Sequence, residues 1–421
     1  VKLTSDNGAG ASYRSPLKIA KDFFEATLGQ VESVLVSANK PFPSKILVAE
    51  PLALSGNRTE EDEWLVNYRD SLRRVLHGKF AELDFLPEPF AVFQFYRYGL
   101  RTALLTQQKK HIALVVDFGG GTLDVCVIET TAQGDIAKGG RGSRPFAATS
   151  AAVGGFEINK KIAEYLLFSV IERRDLKEKT RKAIRQFEEW KFAEHADLED
   201  YSEANQKFFN YYKNLLDTVE KAKIFISTSV ANWNLDNAEP SKAGYPIEVA
   251  PDPFNPDHRM VEVRFDANIF KNIFEDRIWK EKLFPKIEQA LKRATRDLDG
   301  KAVSVALLSG GSASIGWLKQ LMLRDFASLF RDIEILQFTK EAQEIVAKGL
   351  AIECARRYHT GGEGDFRATT YNRLCLVLNP NDTGNNVKAF NPISPKTMDK
   401  GEQGVLIPSS TNLRSIIDQP L

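Results

Sequence analysis

Cysteine is scarce in this chain: Cys126, Cys354 and Cys375 are the three in 421 residues, scattered and odd in number. That rules against a disulfide framework and points to a reducing compartment, with the cytoplasm as the default. Histidine is nearly as rare. His77, His111, His195, His258 and His359 lie far apart, with neither an HExxH nor a CxxC pairing, so no structural zinc is expected. Charge of one sign is also lacking, since 57 Lys and Arg stand against 56 Asp and Glu for a net charge of +1. No general field draws the protein to nucleic acid or to an anionic membrane, so its partners must be found by local surfaces. No apolar run reaches the roughly 20 residues of a membrane span. What remains is ordinary for a globular chain, 43% hydrophobic and 27% charged, and long enough for two or three domains.

One stretch is not ordinary. Val115 to Val125 reads VVDFGGGTLDV: an apolar strand, an aspartate, three glycines, a threonine and a second aspartate seven residues after the first. Three glycines remove every Cβ from the turn, so the amides of Gly119, Gly120, Gly121 and Thr122 can close around phosphate oxygens that a bulkier residue would exclude. Asp117 and Asp124 flank that turn. Two carboxylates facing one phosphate repel it unless a hard cation lies between, and Mg²⁺, which keeps several waters and few carboxylates, suits that position. The plainer reading of the same residues is a glycine-rich hairpin.

Periodicity places the surroundings. Ser15 to Gly29 reads as an amphipathic helix, KILVAE as a short buried strand, and Glu60 to His77 as a helix capped by Thr59. A strand over Phe80 to Leu86 leads to a helix over Pro89 to Gly99, and the strand after the glycines runs from Leu123 to Glu129. Gly134 to Ala148, rich in Gly, Ser and basic residues, reads as a mobile connection. Asn159 to about Phe225 is nearly all helical, and the mixed charges of Asp175 to Asp200 read as a solvated face, with a docking surface as the alternative. Asn232 to Val263 reads as strands and loops, and Asp266 to Asp297 as a helix interrupted at Pro285.

The triple-glycine segment resembles the second phosphate loop of the actin-like ATPase superfamily, in the version found in the 70 kDa heat-shock chaperones. Three further segments are similar to that family's and occur in its order. LPEPFAVFQFY, Leu86 to Tyr96, resembles the first connecting segment; AAVGGFEINKKIAEYL, Ala151 to Leu166, resembles the Gly-Gly turn entering a long helix; and SVALLSGGSASIGWLKQLM, Ser304 to Met322, resembles the adenosine loop. VEKAKIFIS, LFPKIEQALKRA and EIVAKGLAI are smaller echoes. Several collinear matches are more specific than any one alone.

The resemblance implies an α/β, actin-like (ribonuclease H-like), two-lobed nucleotide-binding fold: a partial lobe I over 1–110, lobe II over 111–358, and a linker with the start of a β-rich substrate domain over 359–421. It implies ATP or ADP with Mg²⁺ as cofactors. By the same resemblance Glu88 would position the attacking water, Asp117 and Asp124 would hold hydrated Mg²⁺, and the Thr122 hydroxyl would meet the γ-phosphate. Gly154 and Gly155 would approach the phosphates from the other lobe. Gly310, Gly311 and Ser312 would pass under ribose and adenine, with Glu220, Lys223 and Ser227 on the opposite side. The implied activity is that of an ATP-hydrolysing chaperone whose nucleotide state is coupled to unfolded polypeptide clients, with co-chaperones and exchange factors as further partners.

The chain also departs from the family. Nothing before Lys45 resembles the first phosphate loop, and the catalytic lysine that follows that loop is missing, so both ends read as truncated and the present chain would be weakened in hydrolysis. Ile224 and Ser314 stand where two adenine-side arginines are usual, and Phe156 follows the glycine pair in place of an acid. The linker HTGGEGDFR has no Leu-rich patch, while YNRLCLVLNP and GVLIPSSTNL resemble strands of the substrate domain. A non-hydrolysing nucleotide-binding scaffold stays open beside the chaperone, as does an actin-like filament protein or sugar kinase on the same fold.

Overall fold

A computed structural model describes residues 16–52, 61–99, 110–131, 142–192, 198, 201–230, 233–235, 244–298, 302–330, 333–338, 344–360, 366, 374–375 and 405–407. Its helices are α1 (Pro16–Ser37), α2 (Glu61–Leu76), α3 (Glu88–Gln94), α4 (Gly155–Val170), α5 (Arg174–Phe192), α6 (Glu203–Ser229), α7 (Ala267–Ile273), α8 (Phe284–Leu298), α9 (Trp317–Asp325) and α10 (Ile345–His359). Its strands are β1 (Lys45–Glu50), β2 (Glu82–Pro87), β3 (Lys110–Phe118), β4 (Leu123–Thr131), β5 (Ser143–Ala151), β6 (Tyr245–Val249), β7 (Val261–Phe265), β8 (Val305–Ser309), β9 (Glu334–Gln337), β10 (Leu374–Cys375) and β11 (Val405–Ile407). The protein is thus a mixed α/β chain. It divides into two compact units interleaved along the sequence: Val1–Ile46, Asp62–Asp84 and Phe156–Ile278 in the first, and Leu47–Glu61, Phe85–Gly155 and Trp279–Leu421 in the second.

The second unit is built on a five-stranded sheet in the order β5-β4-β3-β8-β9. β3 and β4 form an antiparallel hairpin closed by the glycines, with Asp117 opposite Asp124 and Phe118 opposite Leu123. β8 joins β3 in parallel, setting Ser309 beside Asp117, and β9 extends the parallel part. Strands buried on both faces carry unbroken apolar runs, which is why Ile112–Val116 and Val125–Ile128 show no alternation of polar and apolar residues. Ala113, Val115, Cys126, Ile128, Val305 and Leu307 share one core cluster with Phe90, Val92 and Phe93 of α3, while α8 packs on β4 and β5. α10 crosses α3 so closely that a Cβ on Gly349 would lie 1.8 Å from the Ala91 carbonyl oxygen, and only glycine permits that approach.

The first unit holds α1, α2, α5, α6, α7 and the antiparallel pair β6–β7. Its core is aromatic: Phe208 stacks on Tyr212 and on Phe254, and Phe187 meets Tyr212 edge-on. Mixed charges do lie on the helix surfaces, as in Lys207 with Glu203 and Arg181 with Glu178.

Several expected elements are corrected. The helix expected to end at Gly29 continues to Ser37, because Gly29 has open space around it and costs only about 1 kcal/mol in a helix interior. Residues 143–148, expected to be part of a mobile connection, belong to β5, where Phe146 and Ala147 are buried; pairing with β4 outweighs the local Gly, Ser and Arg content. The helices around Pro89 and Pro285 are each partly π-helical, over Phe95–Gly99 and Phe274–Leu283. At the second, the wide turns end just before Pro285, which lacks an amide hydrogen and whose ring crowds the carbonyl four residues back. The cap at Thr59, the start of the 134–148 connection, and most of the segments after residue 360 lie outside the described residues.

Candidate functional site

The carboxyl ends of adjacent parallel strands are where open α/β sheets bind ligands, because the loops leaving them splay apart and present backbone amides. In the second unit, β3 and β8 are such neighbours, and the loops that follow them carry the two glycine motifs. Gly119 N–H donates to Thr122 O at 3.0 Å and closes the first turn, and the Ser312 hydroxyl donates to Gly119 O at 2.8 Å, tying the second loop to it. Gly310 has φ +89, and a Cβ there would meet Phe118 O at 2.5 Å and Asp117 Oδ1 at 2.8 Å. Gly154 is equally constrained, with a would-be Cβ 2.4 Å from the Gly120 carbonyl carbon. Gly155 N–H donates to Gly119 O at 3.0 Å.

These contacts place the Gly154-Gly155 pair. The pair presses on the triple-glycine turn inside one unit. The turn glycines themselves differ. A Cβ on Gly120, Gly121 or Gly311 would meet nothing within 4 Å, so the fold's own packing does not demand glycine there. The open space lies where a ligand's approach to bare amides requires it.

Three carboxylates face this turn. Glu88 is the first residue of α3, ahead of Pro89, whose missing amide hydrogen is no loss in a first helical turn. Burial, then the charges of Asp117 and Asp124, push the half-buried Glu88 carboxyl up to about 7. Burial raises Asp117 to about 6, offset in part by the Ser309 hydroxyl, which donates to Asp117 Oδ1 at 2.9 Å. Asp124 is raised to about 7, chiefly by burial and further by the Asp117 charge. Its Oδ1 accepts the Leu52 N–H at 3.1 Å, whereas its buried Oδ2 has no hydrogen-bond partner. The Ser150 hydroxyl offsets part of the rise without reaching hydrogen-bond geometry. Buried acids that repel one another and leave an oxygen unsatisfied form a site short of positive charge. Among the described residues, no three His, Cys, Asp or Glu side chains are placed to ligate a metal directly.

The structure therefore gathers Glu88, Asp117, Gly119, Gly120, Gly121, Thr122, Asp124, Gly154, Gly155, Gly310, Gly311 and Ser312 in one unit. Glu220, Lys223 and Ser227 lie on α6, in the other. There Glu220, its side chain 42% exposed, accepts hydrogen bonds from Lys223 Nζ at 2.7 Å, as an i,i+3 ion pair, and from Nδ2 of the buried Asn159. Ile224 beside it is exposed, and the Ser314 hydroxyl donates to Gly311 O within its own turn.

Sequence reasoning missed Ser309 and the Leu52 amide, the two groups that orient the aspartates. A serine ending an otherwise apolar strand was the available signal for the first; a backbone donor leaves none. It also missed Phe366. In a segment read as lacking an apolar patch, this ring stacks on Phe90 at 4.4 Å, two residues from Glu88, and its backbone bridges Ser143 at the start of β5.

The chain matches no protein-family model and no curated protein. The functional reading therefore rests on the residues and their geometry.

Proposed function

We propose that this protein binds an Mg²⁺-nucleotide, ATP or ADP, on an actin-like ATPase fold, and that it acts as an ATP-hydrolysing chaperone resembling the 70 kDa heat-shock family. The observation that carries this reading is the convergence of Glu88, Asp117 and Asp124 on a glycine turn whose Cβ positions are open, with Gly310 to Ser312 tied to the same turn.

The residues fit the cation. Asp117 and Asp124 are the groups to hold it through its water shell. Bound there, Mg²⁺ supplies the positive charge that offsets phosphate and carboxylate together. The chain's own work is positioning: Ser309 and the Leu52 amide fix one oxygen of each aspartate, and since Gly119 N–H is spent on Thr122 O, the amides of Gly120, Gly121 and Thr122 are those to meet phosphate oxygens. The Thr122 hydroxyl donates to the terminal phosphate. Glu88, poised near neutral pH, orients a water and accepts its proton, and this assembly of aligned water and fixed charge is most of what phosphoryl transfer requires of a protein.

Calorimetric titration with Mg²⁺-ATP tests the reading. Wild type is expected to bind, and Asp117→Ala, checked for retained thermal unfolding, is expected to lose Mg²⁺-dependent binding; equal affinity in both proteins overturns the site. Phosphate release stimulated by an unfolded polypeptide distinguishes the chaperone from a nucleotide-binding scaffold. The scaffold has its own support in two residues expected to meet adenine, taken separately: Glu220 in the first unit is engaged with Lys223 and Asn159, and Ser314 in the second hydrogen-bonds within its own turn.

A further inference from the structure

A groove of about 710 Å³ runs along one face of α6 in the first unit, walled on its far side by β6 and by residues 256–260. We propose that it binds a short extended polypeptide segment carrying a basic side chain. The inference is independent of the nucleotide reading, since every residue it uses lies in the first unit.

Length comes first. The stripe from Lys207 to Thr218 lines the groove and, at 1.5 Å per residue, spans about 16 Å. An extended chain of about five residues covers the same distance at 3.3 Å each. Pitch comes next. Asn210 and Asn214 are four residues apart on that stripe, so their amides recur about every 6 Å. Main-chain groups on one side of an extended peptide recur every second residue, at about 6.6 Å. A carboxamide offers one donor and one acceptor edge, which is the complement of a peptide unit. Neither asparagine side chain has a hydrogen-bond partner among the described residues, so both are available.

Between them stands Tyr211. Its oxygen accepts the Ala250 N–H at 2.8 Å, and burial pushes its pKa up to about 12, so the phenol keeps a proton to donate to a ligand carbonyl. The opposite wall sets apolar surface beside its acids: Tyr245, packed on Phe225 at 5.5 Å, and Met260, which is 41% exposed. Such a wall takes alternate apolar side chains.

Charge selects the remaining feature. Glu248 and Asp257 line the groove against one lysine, Lys207, which pairs with Glu203 at 2.9 Å and also feels the Asp257 charge. The excess is negative, which disfavours phosphate-bearing ligands and favours a lysine or arginine.

Fluorescence anisotropy on the full chain tests this, with a fluorescein-labelled hexapeptide of alternating leucine and lysine as probe. Saturable binding is expected, at least about tenfold weaker in Asn210→Ala/Asn214→Ala, because two main-chain hydrogen-bonding pairs are lost. Both sites are exposed helix positions where alanine favours the helix, so the variant keeps its fold. Backbone N-methylation of the peptide is expected to weaken binding similarly, and Glu248→Lys to reduce the preference over the glutamate counterpart of the probe. No saturable binding by about 1 mM overturns the proposal, as does undiminished affinity in the double variant or for the N-methylated peptide.

Discussion

Replacing Glu88 by glutamine should stabilise the ligand-free protein, and only at neutral to alkaline pH. Burial and two neighbouring aspartates raise the Glu88 carboxyl from 4.5 to about 7, so the folded state holds a proton that the unfolded chain has released. The sign follows from that difference. Below about pH 4.5 both states are protonated and Glu88 contributes nothing; between 4.5 and about 7 rising pH removes stability, and above 7 the full cost of the buried charge is present. At 1.36 kcal/mol per pH unit the interval is worth about 3 kcal/mol, and partial exposure of the side chain trims this to about 2 kcal/mol. Glutamine keeps the shape and carries no charge, so Glu88→Gln should gain about 2 kcal/mol at pH 8.5 and about nothing at pH 4.5. Urea unfolding followed by tryptophan fluorescence reads this out, because Trp279 and Trp317 are buried in the same unit as Glu88. A variant equally displaced at both pH values, or less stable than wild type at pH 8.5, refutes the electrostatic account of this cluster.

A cation held by Asp117 and Asp124, as proposed, competes with protons. With Asp117 raised to about 6 and Asp124 to about 7, Mg²⁺-dependent nucleotide affinity should be level above pH 8 and fall between about pH 7 and 5.5, with proton release detectable by calorimetry in buffers of different ionisation enthalpy. Two glycine variants separate packing from ligand approach. Gly154→Ala drives a methyl to 2.4 Å from backbone carbon and should cost about 1–3 kcal/mol of stability together with nucleotide binding. Gly121→Ala meets nothing within 4 Å and should leave thermal unfolding unchanged while weakening nucleotide affinity at least about tenfold. Equal affinity in Gly121→Ala would mean that the open space over the turn is not where phosphate sits.

What the sequence disclosed, and what it withheld, divides along the range of the interactions involved. The Val115–Val125 hairpin was legible because its information is local: two apolar runs, a glycine turn between them, and a length that sets Asp117 opposite Asp124 in register. Glu88 was legible for the same reason, as an acid joined to a proline at a helix start. β5 was not, since SRPFAATSA looks like a connection until β4 supplies its hydrogen bonds and α8 covers it. The clearest case is Ser309. Its immediate neighbours in sequence, Leu307, Leu308, Gly310 and Gly311, hold no acid; only the parallel pairing of β8 with β3, a contact across 192 residues, turns a strand-end serine into the group that orients Asp117. The Asn210–Asn214 pair shows the converse. Its four-residue spacing was present in the sequence within a stretch read only as helical, and it becomes a peptide-length array once β6 stands opposite it. Local spacing places side chains at known intervals along one element, and a site requires a second element at a defined distance; in this chain the strand order that sets that distance is the part no window of residues contains.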